Sequence, residues 1–120
     1  MRDIYAATEQ GAITKDFKLC NQVRSAAVSV PANIAEGFER SRLREFHQFL
    51  SIAKASCAEV RTYIYIATDV GYFDDDRSRK LRAKAEEVAR IIGGLRRSVS
   101  EKLRSRLRTQ DSGLRTLVRC

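Results

Sequence analysis

The apolar positions of this chain recur at spacings of three and four along most of its length, which is the period of an amphipathic helix. Residues 1–10 carry a short, weak form of the pattern, with Ile4 and Ala7 inward and Tyr5 and Thr8 as further candidates. Gly11 interrupts it, and Thr14 has the side chain to cap the next helix. That second helix carries Phe17, Leu19, Cys20, Val23, Ala26, Ala27 and Val30 as one stripe, adds Ile34 and Phe38, and fades at Glu39 and Arg40. Ser41 is the next cap candidate. From there Phe46, Phe49, Leu50, Ala53, Cys57, Val60, Ile64 and Ala67 keep the rhythm, the cleanest helix in the chain. Gly71 supplies a left-handed stop, and Tyr72 or Phe73 can fold back onto the helix it ends. Asp74, Asp75 and Asp76 favour a new helix start, where the free amides carry partial positive charge. The last helix turns Leu81, Ala85, Val88, Ile91, Ile92, Leu95, Val99 and Leu103 inward, with Gly93 and Gly94 as a soft or close-contact point. Past Thr109 the pattern is lost.

The elements predict an all-α fold: an antiparallel up-and-down four-helix bundle over residues 1–109, with a short first helix, a kinked second helix and a flexible tail over 110–120. The kink is expected at Pro31, the only proline. It lacks the amide that would bond the Ala27 carbonyl, and its ring crowds that carbonyl, so the helix must bend or restart. Small residues around it (Ser25, Ala26, Ala27, Ser29, Ala32, Ala35) let another backbone come close, and Gly37 is a natural terminator. Two readings of this stretch stand side by side. It is a packing device, or Asn33 and Glu36, three apart on one face, form a polar site. A buried carboxylate requires a partner, so Glu36 is expected to pair with Arg24 or Arg40 and to fix register.

Composition narrows the function classes. A chain of 120 residues supports one domain with a modest core, and 43% apolar with 32% charged residues suits a water-facing helical protein. No apolar run approaches the roughly 20 residues that span a bilayer, and residues 1–5 lack a signal-peptide core, so a cytoplasmic protein with no membrane partner is expected. Cys20, Cys57 and Cys120 have no metal or redox spacing. The first two read as small core hydrophobes and the third as a tail thiol. His47 is the only histidine, and the aspartate triplet is explained by a helix start. With no glycine-rich phosphate loop and no nucleophile elbow, the expectation is a protein that is not an enzyme and uses no metal or cofactor.

Charge changes the picture most. The formal net is +8, with pI near 9.9. Residues 1–76 hold nine Lys/Arg against eleven Asp/Glu, whereas residues 77–120 hold fourteen against four. On the last helix Arg79, Arg82, Arg90, Arg97, Arg104 and Arg108 succeed one another at steps of 3, 8, 7, 7 and 4, which keeps them on one stripe away from the apolar one. Arg77, Lys80, Lys84, Arg96, Lys102 and Arg106 widen it. Such a stripe suits phosphates, with salt-dependent and largely sequence-neutral affinity for RNA or DNA. The alternatives are an ordinary solvated face, or an adaptor whose basic face meets an acidic protein partner.

Several stretches also resemble a known family. They are residues 19–24 (Leu-Cys-Asn-Gln-Val-Arg), 25–37 (Ser-Ala-Ala-Val-Ser-Val-Pro-Ala-Asn-Ile-Ala-Glu-Gly), 45–53 (Glu-Phe-His-Gln-Phe-Leu-Ser-Ile-Ala), Glu59 and the Gly71–Tyr72 turn. Together they resemble the four-helix-bundle family of bacterial ribosomal-RNA intervening-sequence proteins. The resemblance implies an antiparallel four-helix bundle and a homopentamer with a central channel. That assembly is like the related accessory proteins of diversity-generating retroelements, which bind nucleic acid and a reverse transcriptase. It makes Arg24, Ser29, Pro31, Asn33, Glu36 and Gly37 structural or interface positions. The chain departs from the family in its first helix, about ten residues where members have more, which would leave apolar surface for a neighbouring subunit.

Overall fold

The computed structural model describes the backbone of residues 1–119 and the side chains of residues 1–109. Four α-helices succeed one another: α1 (Arg2–Thr8), α2 (Phe17–Glu39), α3 (Leu43–Asp69) and α4 (Asp75–Arg119), with a 3-10 turn over Ala12–Lys15 after α1. There is no strand among the described residues. The fold is all-α, with α2 on α3 and α3 on α4 as its main packed layers.

Each helix boundary has a local chemical cause. The cap of α2 is Asp16 rather than Thr14: its carboxylate accepts the Leu19 amide at 3.1 Å, while the Thr14 hydroxyl donates to the Gly11 carbonyl inside the 3-10 turn. A carboxylate both accepts the amide and meets the positive end of the helix dipole. The other Asp16 oxygen accepts from the Tyr72 hydroxyl at 3.0 Å. That bond ties the start of α2 to the turn after α3 and pushes the Tyr72 phenol above its ordinary range. Gly71 ends α3 at φ 85°, with its amide on the Thr68 carbonyl and the Tyr72 amide on the Ala67 carbonyl at 2.8 Å. These are the paired reverse bonds of a Schellman motif, and Phe73 folds back into the core behind it. Asp74 caps α4, accepting the Arg77 amide at 2.7 Å.

The end of α2 and its connection to α3 depart from expectation at two residues, Ser41 and Gly37. Ser41 does not cap α3; Arg42 precedes the helix with no side-chain cap, and Ser41 takes up a left-handed φ of 61°. That conformation costs a residue with a Cβ about 1–2 kcal/mol. Ser41→Gly is therefore expected to raise stability by about 1 kcal/mol, read as a higher urea midpoint at unchanged slope. Gly37 does not terminate α2 but lies buried inside it. A Cβ there would sit 2.7 Å from the Phe49 Cβ and 3.0 Å from the Phe46 Cδ1, so this is where α2 and α3 press closest. Of the two outcomes expected at Pro31, a bend or a restart, the restart does not occur: α2 is one element from Phe17 to Glu39, and the proline forfeits its own amide bond.

The core is organised around α3. Toward one end Val60, Ile64 and Ala67 meet Ile4, Ala7, Ile13, Leu19, Val23, Phe73 and Leu81. Toward the other, Leu50, Ala53 and Cys57 meet Ile92 and Val99, with Val30, Ile34, Phe46 and Leu103 packed around them. Two expected core aromatics lie outside: Phe17 is 75% and Phe38 74% exposed. Phe17 is the first residue of α2, beyond its neighbours, and Phe38 rests edge-on against Phe46 near the surface, with ring centroids 6.1 Å apart. Val88, Ile91 and Leu95 are exposed as well. The reason is length: α1 has seven residues, about 10 Å of helix, and cannot cover the flank between α2 and α4. An apolar groove of about 360 Å³ remains there, lined by Val30, Pro31, Ile34 and Val88 with Met1 at its end.

The molecule is long, 73 Å in its greatest dimension. The 27 residues of α3 reach about 40 Å. The 45 residues of α4 reach about 68 Å. Among the described residues Leu103 is the last α4 side chain packed on the core, and Arg104 to Thr109 project beyond it. The tail expected over residues 110–120 lies outside the residues whose side chains are described; the α4 backbone continues to Arg119, and Cys120 lies outside the described residues.

Candidate nucleic-acid interface

The apolar face of α4 (Leu81, Ile92, Val99) is anchored against α3, and this fixes where its arginines stand. At 100° per residue Arg79, Arg82, Arg90, Arg97, Arg104 and Arg108 fall on the opposite side. Their surroundings divide them into two groups.

The first two are already engaged. Asp76 receives Arg79 at 3.0 Å and Lys80 at 3.1 Å, and hydrogen bonds from Lys80 and then Arg79 hold its carboxyl below the ordinary range. Lys84 reaches across to Asp3 of α1, and its hydrogen bond lowers that carboxyl too. Arg82 lies over the Tyr65 ring at 4.7 Å, donates to the Tyr65 hydroxyl at 3.0 Å, and donates to the buried Ser78 hydroxyl at 3.2 Å. It stitches α4 to α3. In the first two turns of the stripe Arg79 is thus charge-compensated and Arg82 is held by neutral partners as part of the helix packing.

Arg90, Arg97, Arg104 and Arg108 are different. All four are exposed, and none has an ion pair or side-chain hydrogen bond among the described residues. They run from the flank of the bundle out along the projecting part of α4, 18 residues or about 27 Å. Lys102 and Arg106 are exposed too, but they lie on the other side of the helix, toward its apolar face, and do not widen the row. Between Glu87 and Thr109 the one carboxylate on this helix is Glu101. Like charges held in a row and outnumbering the carboxylates among them form a ridge of positive potential that attracts polyanions and loses its pull as salt screens it.

The residues carried by the resemblance have structural surroundings. Arg24 donates through Nε to the Thr8 hydroxyl at 2.8 Å and lies 4.9 Å over the Tyr5 ring, docking α1 on α2. Asn33 donates to the Ser29 carbonyl and hydroxyl at 2.7 and 2.8 Å, and the Ser29 hydroxyl meets that of Ser56 in α3 at 2.8 Å. The Ser29–Ser56 bond joins α2 to α3, and Asn33 braces Ser29 from the other side of Pro31. Glu36 pairs with Arg40 at 2.8 Å on the surface, not with Arg24. Asn33 and Glu36 therefore do not converge into one site.

The other reactive side chains are separate from the ridge. His47 is half-buried, with no imidazole hydrogen bond among the described residues. Cys20 donates to the Ile13 carbonyl at 3.1 Å, and burial pushes the Cys57 thiol up, away from the reactive thiolate. No group of three or more potential metal ligands occurs among the described residues. No helix among them is long and apolar enough to cross a membrane. Sequence reasoning passed over Lys54 and Arg61 of α3, which face α4 beside the arginine row. Their seven-residue spacing was the available signal.

Compared with known protein families, residues 1–94 match the family model described as 23S rRNA-intervening sequence protein. That match takes in α1, α2, α3 and the first part of α4. A comparison with curated proteins gave no match.

Proposed function

The chain belongs to the 23S rRNA-intervening sequence protein family, and from that premise we propose that it is a non-enzymatic cytoplasmic protein that binds the backbone of RNA or DNA through α4. The observation that carries this reading is the row of Arg90, Arg97, Arg104 and Arg108, exposed and in no ion pair among the described residues. The reading assigns no catalysis, because the polar groups elsewhere have structural work: Asp16 and Asp74 cap helices, and Asn33, Ser29 and Ser56 join α2 to α3. In this reading the bundle is antiparallel, up and down, and bent at Pro31. Contacts that step forward along α2 and backward along α3 support the direction, Ser29 against Ser56 and Gly37 against Phe49. The protein acts as a homo-oligomer, a pentamer by family resemblance, with a reverse transcriptase as a candidate partner. The apolar groove beside Val30 and Val88 supports self-association.

Polyanion titration against salt tests the proposal. Each phosphate contact with a single strand contributes about −0.7 to the slope of log affinity against log salt. Arg90→Glu, Arg97→Glu and Arg104→Glu combined are expected to flatten that slope by about 2 and to weaken binding at least tenfold at low salt. Absence of binding by the unmodified protein at low ionic strength, or a slope indifferent to the triple reversal, refutes it.

A further inference from the structure

We infer that the groove between α3 and α4 seats a single nucleic-acid strand, with phosphates on Lys54, Arg61 and Arg96 and a base stacked at Tyr65. This rests on the nucleic-acid reading of α4 and adds a site separate from the α4 ridge. The groove has a volume of about 390 Å³. Its floor is made of short residues, among them Ala58 and Ala89, and its rim carries three cations.

The cations are incompletely used by the protein. The Lys54 ammonium lies over the bare backbone of Gly93, where a Cβ would come within 3.6 Å of its Nζ. Arg96 reaches only the Ser51 hydroxyl, at 3.4 Å. That hydroxyl gives its own proton to the His47 carbonyl at 3.0 Å, so it takes one donor of Arg96 and leaves the others. Arg61 stands 3.9 Å from Glu86, too far for a hydrogen bond, with both side chains over 40% exposed. Three positive charges thus meet one loosely held carboxylate in a concave place, an arrangement that an anion resolves.

The shape specifies the anion. Lys54 and Arg61 are seven residues apart on α3, about 10 Å along the groove, so the cations form a line rather than a nest around one ion. Packed helices lie roughly 8–10 Å apart, which leaves no room for a duplex between them. One turn beyond Arg61 the line ends at Tyr65, which is 49% exposed and whose other contacts are to Arg82. Cations along a track with an aromatic ring at its end are what a single strand needs, because every base has a face to stack.

The test uses the full chain and a fluorescent oligouridylate about 16 nucleotides long, with the same sequence annealed to its complement as the duplex probe. Anisotropy is read at several salt concentrations, and far-ultraviolet circular dichroism confirms that each variant is folded. Tyr65→Ala is expected to weaken single-strand binding roughly tenfold, with Tyr65→Phe retaining it. Lys54→Gln with Arg96→Gln should flatten the single-strand salt slope by about 1.4. Ala58→Leu fills the floor without changing charge and should weaken the single strand while sparing the duplex, which the ridge holds. If these variants bind the single strand like the unmodified protein while the ridge reversal does not, the groove is refuted and the ridge stands. If the unmodified protein binds neither probe, both fail.

Discussion

Truncating Ile64 to alanine is expected to lower the stability of the fold by about 3 kcal/mol, inside the range of about 2–5 kcal/mol for such deletions. Ile64 is fully buried and packs among Ile4, Ala7, Ile13, Leu19, Val23 and Phe73. It lies in the core cluster to which α1, the 3-10 turn, α2 and the α3–α4 turn each contribute a side chain. Removing three carbons forfeits about 2.4 kcal/mol of transfer free energy at about 0.8 per methylene. The rest comes from the cavity, because neighbours on four separate segments cannot all collapse into it. A domain of this size holds only about 5–15 kcal/mol in total. Ile66 is the control: two residues on and 41% exposed, its truncation should cost roughly 0.5 kcal/mol or less. Urea midpoints for the two variants decide the matter, since equal losses would mean that α3 does not present the face assigned to it.

That face was legible in the sequence because α3 is covered on its apolar side by other elements at every turn. Leu50, Ala53, Cys57, Val60, Ile64 and Ala67 are all buried as the three-four rhythm predicts. The same rhythm on α4 is only half informative. It identifies Val88, Ile91 and Leu95 as an apolar side but cannot tell that α1 is too short to lie over them. Periodicity reports which way a helix faces, not how far its neighbour extends. Capping choices were ambiguous for a related reason. Thr14 and Asp16 are both competent caps, and the choice of Asp16 also satisfies Tyr72, 56 residues away. The arginine spacing on α4 was legible, but the occupation of Arg82 by Tyr65 and Ser78 was not, because those partners come from another helix and from a buried position. Lys54 and Arg61 stayed hidden because the charges of residues 1–76 nearly balance, so no local excess drew notice.

Gly37→Val is expected to cost about 3 kcal/mol, the upper end of the usual overpacking range, and the reason is the spacing between α2 and α3. Two terms of opposite sign act at this position. A glycine inside a helix is worse than alanine by about 1 kcal/mol, so any side chain gains something in propensity. Against that, the first added carbon would stand 2.7 Å from the Phe49 Cβ. That atom is fixed to the α3 backbone and cannot rotate away, so the helices themselves would have to part. Overpacking of this kind costs about 1–3 kcal/mol, sometimes more. For alanine the two terms partly cancel, leaving a loss of about 1 kcal/mol. Valine recovers less propensity and drives further methyl groups toward the Phe46 ring, so the steric term wins. Phe49→Gly, which removes that Cβ, should relieve much of the strain, and a double-mutant cycle should show favourable coupling between the two changes. A urea midpoint unmoved by Gly37→Val would place the helices farther apart than a glycine contact requires. The crossing also sets how α3 stands beneath α4, so a variant that opens it should weaken single-strand binding in the α3–α4 groove even where the protein stays helical.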